Sequence, residues 1–319
     1  MALFSIVIAL ILEQVRPLSQ RRFVAAPLAH YASVLEEHFN DGQRRHGMVA
    51  WLIGVLPAVI SLFIAQWLLL SLHPLIALLL NIGVLYLTMG FRQFSHYFSD
   101  IHLALRMGEL EQARTLLCEW RNSSTVRYSS TEVARLAIEE ALIASHRHVF
   151  APLFWFVLLG PAGALLYRLS LFFYHQWNGD ATAKQVRDAP IDNIRNINAF
   201  GAFAIRAFTV VDWLSLRVTA AAFAVVGDFE DAVFCWRTQA SSWTDTNSGI
   251  LLASGAGALG VRLGLPLQEV GGLIERPELG LGDEADADYM QSTIGLVWRT
   301  LILGLLLLTL FWISGWVGR

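Results

Sequence analysis

Val49-Ala-Trp-Leu-Ile-Gly-Val-Leu-Pro-Ala-Val-Ile-Ser-Leu-Phe-Ile-Ala-Gln-Trp-Leu-Leu-Leu70 carries no charged residue. At 1.5 Å per residue, a helix over this stretch reaches roughly 33 Å, enough to cross the hydrocarbon core of a bilayer. Ser71-Leu-His-Pro74 follows as a tight break, since proline does not continue a helix it interrupts. Leu75–Phe91 is a second apolar run, barely long enough to span. Together the two runs predict a helical hairpin with almost nothing on its far side.

Arg16, Arg21, Arg22, Arg44 and Arg45 precede the hairpin, and Arg92, Arg106, Arg114, Arg121, Arg127, Arg135 and Arg147 follow it. Basic residues accumulate on the cytoplasmic side of short spans, so both flanks are expected there, in a multi-pass protein of the inner membrane. The bulk composition agrees. Of 319 residues, 55% are hydrophobic and 15% charged, against about 25% charged in a soluble domain. Mean hydropathy is +0.51. A net charge of −3 gives no electrostatic footprint for nucleic acid. Cys118 and Cys235 have neither metal-ligand spacing nor the number for a disulfide framework, and read as inert thiols.

Beyond the hairpin, Asp100–Trp120 reads as one amphipathic helix with Leu103, Met107, Leu110, Ala113, Leu116 and Leu117 at three- and four-residue steps. Thr131–Ile143 is another helix, with Thr131 as its cap. Residues 92–148 are expected to be a cytoplasmic helical insertion in a single membrane domain over residues 1–319. Val149–Trp177 is apolar around Gly160-Pro-Ala-Gly163, which allows either one kinked span or a re-entrant pair of half-helices. Asn178–Asp188 reads as a polar loop. Ile191–Val226 has a helical pattern but contains Arg206, Asp212 and Arg217. Each of these costs about 2.5–3.5 kcal/mol at mid-bilayer, against ~0.3–0.6 returned per apolar side chain. This segment is therefore expected to pack on other helices or lie along the interface. Leu296–Val317 is the last strong span. The fold expected is all-α and polytopic, with about four transmembrane helices plus semi-buried ones.

Several residues suggest chemistry. Arg195, Arg206 and Arg217 recur every eleven residues, three helical turns, and form one basic stripe on a continuous helix. Such a stripe suits a small anionic ligand or, equally, lipid headgroups. Gly255, Gly257, Gly260 and Gly264 carry small-x-x-x-small steps that suit close helix packing. The alternative, a phosphate loop with Arg262 as counter-charge, lacks the Gly-Lys-Ser/Thr ending. His146 and His148 point apart on a helix. The acidic groups Asp228, Glu230, Asp231 and Asp283, Glu284, Asp286, Asp288 read as solvated loops. No metal site is expected.

Ala151-Pro-Leu-Phe-Trp155, Asp212-Trp-Leu-Ser-Leu-Arg217, Gly255–Gly264 and Arg276-Pro-Glu-Leu-Gly280, in this order, resemble the CobD/CbiB family of membrane proteins. Arg121-Asn-Ser123 is similar to that family's Arg-Asp-Thr element, and Met1–Glu13 looks like the opening of its AmpE branch. The resemblance marks Pro152, Trp155, Gly257, Gly260 and Gly264 as motif and packing positions. It leaves Arg121, Arg195, Arg206, Arg217 and Arg262 as candidate ligand contacts.

The family's enzyme branch implies cobalamin biosynthesis, in which an aminopropanol unit is joined as an amide to adenosylcobyric acid. Mg-ATP and a corrinoid are then the implied cofactor and substrate. The family's acidic run before Ala-Pro-Leu-Phe-Trp is replaced here by Ile143-Ala-Ser-His-Arg-His148. Loss of those acids implies a non-catalytic member of the AmpE type, with membrane lipids and a partner membrane protein as its contacts. Such a protein would act in envelope sensing and regulation linked to cell-wall recycling and β-lactamase control. A role in cobalamin biosynthesis, as synthase or accessory subunit, is the alternative.

Overall fold

The structure is a computed structural model that describes residues 2–15, 22–41, 43–122, 127–188, 200–269 and 272–317. Helices α1 (Ala2–Val15) and α2 (Arg22–Phe39) precede α3 (Arg44–Leu72), which contains the charge-free stretch. His73 closes α3 and opens α4 (Pro74–Thr88): its backbone N–H donates to Leu69 O, and its Nδ1 accepts from Leu75 N at 3.2 Å. Pro74 takes the first helical position, where a missing N–H costs nothing. The break thus falls where the sequence places it. However, α4 has only 15 residues, short of the ~20 that a span needs.

The single helix expected over Asp100–Trp120 is two, α5 (Phe91–Met107) and α6 (Leu110–Arg121). Gly108 separates them at φ 78°, a left-handed conformation glycine adopts without the penalty of a Cβ. The turn also rearranges the apolar stripe. Leu103 and Met107 are exposed, while Ile101, Ala104, Ala113 and Leu117 are buried. Helix α7 (Ser130–Ser145) opens with a capping box in which Ser129 Oγ accepts from Glu132 N and Glu132 Oε2 accepts from Ser129 N. The cap is therefore Ser129, not Thr131, because only Ser129 has a Glu three residues on.

A single π-helical turn (His146–Phe150) precedes α8 (Ala151–Leu159). At Gly160 (φ 66°) the chain reverses into α9 (Pro161–Asp188). Gly163 lies so close that a Cβ there would overlap the Trp155 carbonyl oxygen. The turn joins the long helical run Ser130–Leu159 to the 28-residue α9, which is neither one kinked span nor a pair of half-helices. A second break, at Gly179, interrupts α9, and helical backbone runs on through the expected loop Asn178–Asp188. The remaining helices are α10 (Ala202–Val226), α11 (Phe229–Gln239), α12 (Thr246–Leu259) and α13 (Ala287–Val317). Residues 123–126, and 189–199 with Arg195, lie outside the described residues.

Short strands interrupt the helices between α12 and α13. These are β1 (Val261–Gly264), β2 (Leu267–Glu269), β3 (Gly272–Ile274), β4 (Glu278–Leu279) and β5 (Asp283–Glu284). Strand β1 is central, antiparallel to β4 with Gly264 opposite Glu278 and parallel to β5 with Arg262 opposite Glu284. Strands β2 and β3 form a separate hairpin.

Among the described residues, four helices are long and apolar enough to cross a membrane: Arg45–Leu72, Ser130–Leu159, Ala202–Val226 and Ala287–Gly315. The all-α polytopic class holds, but two of the four differ from the spans read in the sequence. The segment before Val226 had been expected to insert only uphill, and Thr131–Ile143 to lie in the insertion. These two are more enclosed by protein (39% and 50% of their apolar windows buried) than the other two (22% each). A charge met by protein dipoles does not carry the cost it has in lipid.

The chain divides into two compact units, residues 1–90 with 151–215 and residues 91–150 with 216–319. The first is built on aromatic packing: the Trp177 ring lies within 5 Å of Phe173 in a tilted contact and of Phe200 edge-on, and its Nε1 donates to Ala32 O. In the same unit Tyr167, fully buried, donates to Asp212 Oδ1 at 2.8 Å. The second unit is built around α7, most of which is buried, and α12 packs against it. A Cβ on Gly255 would lie 2.8 Å from Leu142 Cδ1, and one on Gly257 would lie 2.7 Å from Ala232 Cα. The glycines let α12 approach α7 on one side and α11 on the other.

Candidate functional site

Arg135 and Glu139 lie one turn apart on α7, each only 6% exposed. A buried ion without a partner costs several kcal/mol, so each needs a counter-group. Glu139 has one. Arg276 Nη1 donates to its Oε2 at 3.0 Å and Arg276 Nη2 to its Oε1 at 2.8 Å. This is the parallel fork geometry that makes guanidinium–carboxylate pairs strong and directional. The two side chains are 2% and 8% exposed.

The same pair holds the turn after β1. Gly264 N donates to Glu139 Oε1 at 2.9 Å, while Arg276 donates through Nη2 to Gly264 O and through Nε to Leu265 O. Gly264 and Leu265 both have positive φ, 74° and 64°. For Leu265 this is a sparsely populated conformation that persists only where its surroundings enforce it. The Arg276 guanidinium also stands over the Trp243 ring, 5.3 Å from its centroid, in cation–π geometry. Arg135 Nη2 reaches Pro266 O at 3.4 Å. Nearby, the Gln239 amide pairs in both directions with the backbone of Gly280.

A carboxylate that already accepts three hydrogen bonds has little capacity left to ligate a metal. Among the described residues, no group of three or more His, Cys, Asp or Glu is arranged to hold a metal ion. These residues do not fit the magnesium that nucleotide-dependent amide formation would bring.

The residues singled out in the sequence are dispersed. Arg121 is buried at the end of α6. Arg206 is exposed on the part of α10 in the first unit, and Arg217 is half-buried in the second, where Nη1 meets Asn247 Oδ1 at 3.4 Å. Arg195 is outside the described residues. Arg262 on β1 lies between Glu278 and Glu284 at 3.7 and 3.8 Å, in a partly exposed arrangement of the kind worth little. Pro152 is buried in α8, and Trp155 Nε1 donates to Val211 O at 3.2 Å. Gly257 sits at the α11–α12 approach, Gly260 is the left-handed cap of α12, and Gly264 alone belongs to the Glu139 cluster. Glu139 and Arg135 were not singled out. Their signal was available, since Arg135 and Glu139 stand four residues apart among the apolar side chains of mid-α7.

The cysteines are set apart from this chemistry. Cys118 and Cys235 form no disulfide and are buried. Burial first, and Asp231 second, push the Cys235 thiol up to about 11. At pH 8 about one thiol in a thousand is then ionised. Maleimide labelling of the folded protein in detergent should leave Cys235 unmodified, while denaturant should expose it. Prompt labelling of Cys235 without denaturant would contradict this burial.

A family profile described as "CobD/Cbib protein" matches residues 6–171 and 193–297. A curated relative named "Cobalamin biosynthesis protein CobD" from Stutzerimonas stutzeri (strain A1501) is 35% identical over 317 residues, 98% of each chain. One of the same name from Chromobacterium violaceum is 34% identical over 236 residues, 74% of this chain and 71% of the relative. Another, from Photorhabdus laumondii, is 27% identical over 221 residues, 67% and 65% of the two chains. No solved structure matches. These names correct the expectation of AmpE-type envelope sensing, because the relatives carry the name of the cobalamin pathway and nothing found points to β-lactamase control. With the family profile matched across both compact units, this membrane-spanning chain belongs to the CobD/CbiB family.

Proposed function

We propose that this protein acts in cobalamin biosynthesis, at the step that joins an aminopropanol unit to a propionate of adenosylcobyric acid through an amide bond. The observation that carries this reading is the 35% identity over 98% of the chain to a relative named for cobalamin biosynthesis. Likeness of that extent includes both compact units, so it does not reduce to shared apolar helices. The reading places the protein in the cytoplasmic membrane, with its arginine-rich flanks inside. There the exposed apolar faces of α3 (Phe63, Trp67) and α13 (Leu310, Phe311) meet lipid.

Growth of a corrinoid-dependent strain lacking this gene tests the reading. Supplied cobinamide should restore growth and supplied cobyric acid should not, and a plasmid copy of the gene should remove the difference. Equal growth on both supplements would exclude the protein from this step.

A further inference from the structure

We propose that His102 makes the junction between α5 and the start of α13 a pH-sensitive clasp, closed at neutral pH and loosened by acid. The inference concerns packing within the second unit and does not rest on the cobalamin reading. Helix α5 packs on α13, and Arg106 Nη2 meets Asp288 Oδ1 across that contact at 2.7 Å. His102 stands one turn before Arg106, on the same face of α5. Its Nε2 is enclosed, with no hydrogen-bond partner among the described residues.

The end of α13 that this face meets is tied to the strands. Asp286 Oδ1 accepts from both Asp288 N and Tyr289 N at 2.9 Å, which fixes the first turn of the helix. Two residues earlier the chain leaves β5, which pairs with β1. Release of this turn therefore frees one edge of the strand segment. The Arg106–Asp288 pair is too open to hold it, with side chains 53% and 82% exposed, since ion pairs in water contribute little. The enclosed imidazole decides.

A neutral imidazole keeps one nitrogen as an acceptor, whereas an imidazolium donates from both. Acid would thus place an N–H at the enclosed Nε2 with nothing to receive it, and such a donor is costly. The charges around the ring are mixed. Arg106 on α5 repels a proton, while Asp288 and the Ala287 backbone on α13 favour one. From α6 and α7, the other helices packed on α5, no charged group among the described residues acts on the ring. Burial first, and Arg106 second, outweigh the α13 groups and hold His102 below the usual histidine range. The contact is then complete above about pH 6.5, where a free histidine is neutral. It is lost as the pH falls through the lower value of the folded chain.

Limited proteolysis of the full chain in detergent tests the clasp, with rates taken relative to an unstructured reporter peptide. Cleavage within residues 281–290 should quicken by at least about twofold between pH 7.5 and pH 5.5, a range above the titration of ordinary carboxylates. His102→Phe keeps a ring in place and removes the titration, so its relative rate should be the same at both values. If that variant does not fold, NMR titration of the wild-type chain labelled with ¹³C-histidine decides. The His102 midpoint should lie below that of free histidine. Arg106→Gln should raise it, and Asp288→Asn should lower it further. A midpoint at or above the free value would overturn the clasp, as would acid-quickened cleavage that persists in His102→Phe.

Discussion

Glu139→Ala is expected to destabilise the second unit by about 3–5 kcal/mol, because it strands a charged Arg276 in a buried site. That is a large part of the 5–15 kcal/mol by which folded proteins are usually stable. The loss has two components. The guanidinium forfeits both oxygens of its fork, and the Gly264 amide forfeits the acceptor that fixes the turn after β1. Thermal melting in detergent, followed by tryptophan fluorescence, should show the drop. The double variant Glu139→Leu with Arg276→Met should recover most of it, since apolar replacement of a whole buried pair is often neutral or stabilising. A single variant that melts like the wild type would mean that Arg276 reaches solvent and that the clamp is not buried.

Gly264→Val is expected to prevent stable folding of the strand segment altogether. The position has φ 74°, and any Cβ there would overlap the Pro277 carbonyl oxygen on the facing chain. A left-handed conformation costs an L-residue about 1–2 kcal/mol. The overlap with backbone cannot be relieved by a rotamer, so β1 and β4 must part where Gly264 faces Glu278. The sum should exceed the 4–5 kcal/mol seen only for the most damaging substitutions.

Gly260→Ala provides the comparison. Its φ is 68°, but nothing stands within 4 Å of the added atom. It should cost only the conformational part, about 1–2 kcal/mol. Limited proteolysis should cut the Gly264 variant within residues 261–284 and leave the Gly260 variant intact. Equal resistance of the two would remove the steric argument.

The helical membrane class was legible because lipid imposes a simple demand, about twenty apolar residues in a row, and α3 meets it openly. The break at His73 was legible for the same local reason, a proline that starts a helix. Gly108 was not, since a lone glycine within a periodic pattern is compatible with an unbroken helix. The cost reckoned for Ile191–Val226 was that of a helix inserting alone, while the structure buries 39% of the apolar window of that helix in protein. The Glu139 cluster was hidden for a different reason. Spacing on α7 pairs Glu139 with Arg135, but the partner it takes is Arg276, 137 residues further on. No periodicity reports a contact of that range. The Arg276-Pro-Glu-Leu-Gly280 block was noticed as a motif, without a clue to what its arginine grips.

That separation also sets a timetable for biosynthesis. At ~5–20 residues per second, a ribosome needs on the order of ten seconds to progress from Glu139 to Arg276. Throughout that interval a nascent α7 carries its carboxylate with the eventual counter-ion still untranslated. The insertion machinery must therefore shelter a half-made helix, and depletion of membrane chaperones should harm this protein more than one whose charges find partners nearby.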